Sequence, residues 1–116
     1  MPETRAQDDQ TTLAELRHVV ETFVAERQWQ CFHTPKNLAT SVAIEAGELM
    51  EHFQWLTPEE SLQLRESPEK IATIAEELSD VMAYLLSLAN ALEIDVASSF
   101  VAKMEKNRQK YPAPSE

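Results

Sequence analysis

The sequence predicts an all-α fold of four main antiparallel helices plus one short connecting helix. Three observations carry that expectation. A chain of 116 residues with a single glycine has few places where the backbone turns freely. Its six prolines fall at boundaries, three of them directly after a threonine or serine. Between those boundaries, apolar residues recur three and four apart, the spacing of one helix face.

Each element follows in order. Thr12 to Glu15 (TLAE) is a capping box opening a helix with Leu13, Leu16, Val20 and Phe23 on its apolar side. Thr34 before Pro35 caps a second helix running to about Trp55. Thr57 to Glu60 (TPEE) is a second capping box, for the short helix. Ser67-Pro68 opens a long helix ending near Asn90. Asp95 caps the last helix, which stops before Pro112. The chain reads as one domain over 1–116, with residues 1–8 and 112–116 expected to be flexible.

Composition excludes several classes. Hydrophobic content of 43% suits a folded core. A net charge of −10 argues against polymeric nucleic acid, which needs a basic footprint, but not against a single nucleotide held through a cation. The start, MPETRAQDDQ, has no apolar signal-peptide core, and no later run is long enough to span a membrane. The lone Cys31 cannot form an internal disulfide, which fits the cytoplasm, and it reads as a small buried hydrophobe.

Helical geometry then gathers acid. At about 100° per residue, Glu45 falls about 20° from Leu38, on the edge of a stripe of Leu38, Val42, Leu49 and Phe53. Glu48 lies about 60° further round, whereas Glu51 turns to solvent. On the long helix, Ile71, Ile74, Leu78, Val81, Leu85 and Leu92 form a wide stripe. Glu77 and Asp80 stand at its margin, with Tyr84 between them in angle and Glu76 turned away. Should the two pairs converge, like charges about 4 Å apart would repel by ~4 kcal/mol at an effective dielectric near 20. A cation relieves that repulsion. An oxygen-only donor set without histidine suits Mg²⁺, or Mn²⁺ in its place, over zinc. Di-iron bundles need Glu-x-x-His on two helices, and this chain has none at these positions.

The last helix offers the opposite charge. Lys103 and Asn107 fall within its apolar face of Val96, Phe100, Met104 and Tyr111, where a lysine and a metal could share a phosphate. Trp29, Phe32, His33, Lys36, Asn37 and Trp55 are expected to cluster where the first two helices meet, and two tryptophans there could stack on a base. The only glycine, Gly47, lies opposite the apolar stripe beside Thr40 and Ala43, a small-residue face that would let another helix approach.

Three strings, FHTPKNLATSVAIEAGELMEHFQW, IAEELSDVMAYLLSLA and KMEKNRQKYP, occur in that order between Phe32 and Pro112. They resemble the MazG-like all-α nucleoside triphosphate pyrophosphohydrolases, and within that superfamily most resemble the dCTP pyrophosphatases. The resemblance implies Mg²⁺ held by Glu45, Glu48, Glu77 and Asp80, which form the catalytic centre. It implies hydrolysis of a deoxynucleoside triphosphate, dCTP or a related or modified dNTP, to the monophosphate and pyrophosphate. Water attacks the α-phosphorus, and a glutamate of the first pair is the candidate general base. Lys103 and Asn107 match residues contacting phosphates and sugar, Tyr84 lines the same pocket, and Trp29, His33, Asn37 and Trp55 match the base and sugar region. The family forms homo-oligomers, dimers or tetramers, whose pocket draws on more than one subunit, and it cleans the nucleotide pool. A broad-specificity or phosphoribosyl-ATP pyrophosphohydrolase and a non-catalytic acidic helical adaptor are the alternative readings.

Overall fold

The computed structural model describes residues 6–115. Among them every regular element is helical: α1 (Leu13–Glu26), a 3₁₀ turn (Gln30–Phe32), α2 (Pro35–Glu51), α3 (Pro58–Gln63), a second 3₁₀ turn (Leu64–Glu66), α4 (Pro68–Leu92) and α5 (Val96–Lys110). Of the ends expected to be flexible, 1–5 and 116 lie outside the described residues. Residues 112–115 have no regular structure.

The polar punctuation of the sequence places each helix start. Thr12 accepts from Glu15 N at 3.1 Å while Glu15 accepts from Thr12 N at 2.7 Å, closing the first capping box. Thr57 and Glu60 repeat it at 3.1 and 2.9 Å. Thr34 and Ser67 accept from Asn37 N and Lys70 N. Asp95 accepts from both Ser98 N (3.1 Å) and Ser98 Oγ (2.6 Å), and these bonds, with a smaller pull from Arg17, hold its carboxyl below the usual range. Each such cap is worth about 1 kcal/mol.

One end differs from expectation. α2 stops at Glu51, four residues early, because His52 N and Phe53 N tighten onto Leu49 O (3.2 Å) and Met50 O (2.9 Å) ahead of the Thr57-Pro58 start. α1 ends at Glu26 with Arg27 as its C-cap, and Gln28 takes a left-handed φ of 57°, as Glu93 does (φ 55°) after α4. Neither position has glycine, although left-handed backbone costs other residues roughly 1–2 kcal/mol.

α2 and α4 pack as the principal pair, and α1 lies across α4. Leu38 of α2 is 2% exposed, and Leu86, Ser87 and Ala89 of α4 are buried as well, a small core. The α4 stripe is wider than its neighbours cover: Ile71, Leu78, Leu85 and Leu92 are all exposed, Leu78 by 54%. α5 departs most from the antiparallel expectation. It turns away from α4 by 104° and makes no extended contact with any other helix of its chain, so Phe100, Val101, Met104 and Tyr111 stand in the open. No single helix among the described residues is long and apolar enough to cross a membrane. Cys31, read from sequence as buried, is exposed.

The expected close approach at Gly47 is not found. A Cβ built there meets nothing within 4 Å, and Thr40 and Ala43 beside it are exposed. Within one chain the glycine only weakens α2, so Gly47→Ala is expected to raise stability by about 0.5–1 kcal/mol. Thermal melts read this directly. An unchanged or lower Tm would mean that something outside the chain fills that space.

Candidate active site

The four carboxylates come from the one helix pair that packs extensively. Because side chains three residues apart share a helix side, α2 presents Glu45 and Glu48 together, and α4 presents Glu77 and Asp80. Glu45, Glu48 and Glu77 each bring an oxygen within 4.8 Å of the other two. Asp80 is not part of that trio, but its charge acts on Glu45. Glu45 and Glu77 are half-buried, and Glu48 is exposed. Glu76 and Glu51 face solvent, as expected.

Two observations show that the cluster could hold a cation. Glu77 Oε1 is buried without any hydrogen-bond partner. An unpaired buried acceptor of this kind costs about 1–3 kcal/mol. The Glu45 carboxyl is pushed up, first by burial and then by Glu48, Asp80 and Glu77 in turn. An all-oxygen set with like charges crowding one another and one lone pair unsatisfied fits a hard divalent ion such as Mg²⁺.

The sign of the pH effect follows from that upward shift. Folded Glu45 binds its proton more readily than unfolded Glu45, so its contribution to apo stability is full below the ordinary glutamate range and is lost as pH rises through the raised value. Metal and proton compete for the same oxygens. On lowering pH through that window, the apo protein is therefore expected to gain stability from this group while Mg²⁺ affinity falls. Paired melts and Mg²⁺ titrations of the wild type and Glu45→Gln check it, since the variant should lack this step.

Beside the carboxylates lies an aromatic cavity of about 440 Å³, lined by Val19, Val20, Phe23 and Val24 of α1, Trp29 and His33 of the connection, and Asp80, Ala83, Tyr84 and Ser87 of α4. Trp29, His33 and Tyr84 are arrayed with successive ring centroids 6.3 and 6.2 Å apart, and Phe23 meets Trp29 edge-on at 5.7 Å. Nδ1 of His33 is the other buried polar atom without a partner. Asp80 thus belongs to both halves, lining the cavity and acting on the carboxylate trio through its charge.

The remaining predicted residues divide. Asn37 donates Nδ2 to Phe32 O at 3.2 Å, bracing the turn that carries Trp29 and His33. Trp55 does not join them: it stands 86% exposed past the far end of α2, about 25 Å along the helix from His33. Lys103 and Asn107 lie on α5, outside the helix pair that carries the carboxylates, and Asn107 lines a groove with Phe100, Met104 and Tyr111. The α1 wall, with Phe23 against Trp29, is the part the sequence did not disclose. Its pairing crosses the left-handed break at Gln28, and helical periodicity carries no information across such a break.

With this geometry in view, the chain was compared with known proteins. A model of the MazG-like family matches residues 40–116. A dCTP pyrophosphatase 1 from Homo sapiens is 43% identical over 102 residues, 88% of this chain and 60% of the relative. The Bos taurus protein of that name is 42% identical over 101 residues, 87% of this chain and 60% of the relative. The chain therefore spans about 60% of the length of these curated relatives. A crystal structure of a pyrophosphatase from Archaeoglobus fulgidus superposes with a TM-score of 0.80 at 37% identity, covering 94% of this chain and 100% of that one.

Proposed function

The chain belongs to the MazG-like family, and from that membership we propose a Mg²⁺-dependent pyrophosphohydrolase acting on deoxynucleoside triphosphates, with dCTP or a related or modified dNTP as substrate. The observation that carries this reading is the junction at Asp80, where a carboxylate cluster meets an aromatic slot. A base and a polyphosphate are the two halves of a nucleotide, and the site has one surface for each.

The chain's own groups divide the work. Trp29, His33 and Tyr84 offer ring faces to the base, and the unpaired His33 Nδ1 offers it a hydrogen bond. Glu45, Glu48, Glu77 and Asp80 would hold Mg²⁺, with Mn²⁺ as a substitute. When bound, the ion neutralises phosphate charge and acidifies a water. A glutamate of the Glu45/Glu48 pair takes the proton from the attacking water. Water oxygen bonds to the α-phosphorus, the bridge to the β-phosphate breaks, and pyrophosphate leaves beside the monophosphate. Removal of excess or modified dNTPs from the cytoplasmic pool is the role this chemistry serves, with the whole chain acting as a single domain.

The protein works as a homo-oligomer, dimer or tetramer. Its accessible surface is 9461 Å², against about 6,400 Å² for a compact monomer of its mass. The excess, about 3,000 Å² on one chain, is at or above the roughly 1,000–2,500 Å² that an obligate interface takes from each partner. The radius of gyration, 17.1 Å, likewise exceeds the roughly 13 Å of a compact chain this long. A partner subunit would cover α5 and bring Lys103, Asn107 and Trp55 to the site that they do not reach within one chain.

The test is incubation with each dNTP and NTP, with and without Mg²⁺, and identification of products. Monophosphate plus pyrophosphate, formed only with the metal, is the expected result. Orthophosphate release, or no turnover of any nucleotide, would sink the reading.

A further inference from the structure

α5 carries Lys103 and Asn107 but gains no support along its length from the rest of its chain, so its direction is decided at the corner where it leaves α4. That corner is short and held from outside. α4 closes on Glu93 in the left-handed region, Ile94 N bonds back to Ala89 O at 2.9 Å, and Asp95 caps α5. From α1, more than seventy residues earlier in the chain, Arg17 reaches across both sides of the turn. Its Nη1 donates to Ile94 O at 2.7 Å and its Nε to Asn90 Oδ1 at 2.9 Å. Asn90 Nδ2 returns a bond to Arg17 O at 3.2 Å.

Arg17 forms no ion pair among the described residues, so its fork is spent on two acceptors flanking a bend. A planar guanidinium holds two acceptors at a set angle, which a lysine ammonium cannot do. One acceptor lies in the last turn of α4 and the other just before the α5 cap, so the two bonds fix Ile94, from which α5 departs, against the end of α4; the two helices meet there at 104°. A left-handed residue other than glycine narrows the same corner, because it has fewer alternative conformations to escape into.

We propose that Arg17 is a positioning residue: it locks the α4–α5 corner and so fixes where α5 presents Lys103 and Asn107 to a second copy of the chain. The consequence for a second copy rests on the homo-oligomeric reading above; the lock itself does not.

The experiment measures the angle directly. Spin labels at the exposed positions Ala14 and Lys106, in a Cys31→Ser background and diluted with unlabelled chain, report the distance from α1 to α5 within one chain. The Arg17-intact protein should give one narrow distribution. Arg17→Met should at least double its width and move the dissociation midpoint, read by light scattering across a dilution series, at least tenfold towards higher concentration. A purely structural loss would lower Tm while leaving the distance distribution below the melt untouched. An unchanged width, or an unchanged midpoint, overturns the proposal. Should Arg17→Met lose its helical circular dichroism, Arg17→Lys takes its place, because it keeps the charge and one donor but not the fork. Intermediate broadening is then expected, and wild-type width overturns the proposal. Absence of nucleotide turnover by the wild type would remove the proposed function while leaving both readouts intact.

Discussion

Glu45→Gln is expected to lower turnover of the preferred dNTP by about 10³-fold or more, with helical content intact and the apo Tm unchanged or higher. The substitution keeps size and removes one charge from the place where Glu48, Asp80 and Glu77 all act on it. Loss of repulsion favours the fold, whereas loss of a carboxylate ligand weakens the hold on the cation that the proposed reaction uses. Mg²⁺ separates these two effects. At ten times its Kd it should stabilise the wild type by about 1.4 kcal/mol, read as a rise in Tm, and the variant by much less. A variant that fails to fold would mean that Glu45 is structural. One that keeps wild-type turnover would remove the carboxylate cluster from the chemistry.

Mixing Glu45→Gln with Lys103→Ala is expected to recover activity that neither variant has alone. Lys103→Ala should cost about 10²-fold or more if its ammonium meets phosphate charge developing in the reaction. Lys103 lies on α5, outside the helix pair that carries the carboxylates, and the apolar face around it is open. In a mixed pair, the Lys103→Ala chain supplies intact carboxylates and the Glu45→Gln chain supplies an intact lysine. With random exchange in a dimer, half the pairs are mixed and half the sites in them are whole, so recovery should approach about a quarter of wild type. Differently tagged variants, co-purified to prove exchange, make the measurement clean. Mixed assemblies that stay inactive would place the whole site within one chain.

The carboxylates were legible because three-residue spacing beside an apolar stripe leaves little freedom. Once α2 and α4 pack through their stripes, Glu45, Glu48 and Glu77 must meet at the seam. Trp55 misled for the opposite reason. Its expected grouping with Trp29 at the junction of the first two helices is not found within one chain, because a helix of 17 residues stands between them. Gly47 misled similarly: a small-residue face shows where a neighbour could fit, and no neighbour in this chain does.

The sequence by itself determined the elements and their starts, since Thr12, Thr34, Thr57, Ser67 and Asp95 act on backbone amides three residues away and need nothing distant. It determined which acids share a helix side for the same local reason. Tertiary structure alone decided that Asp80 joins the carboxylates to the aromatic slot, that Phe23 of α1 walls that slot, and that Arg17 and Asn90 hold the corner from which α5 departs. These contacts join elements separated by a left-handed break or by more than seventy residues. Helical periodicity ends at the first and cannot reach across the second.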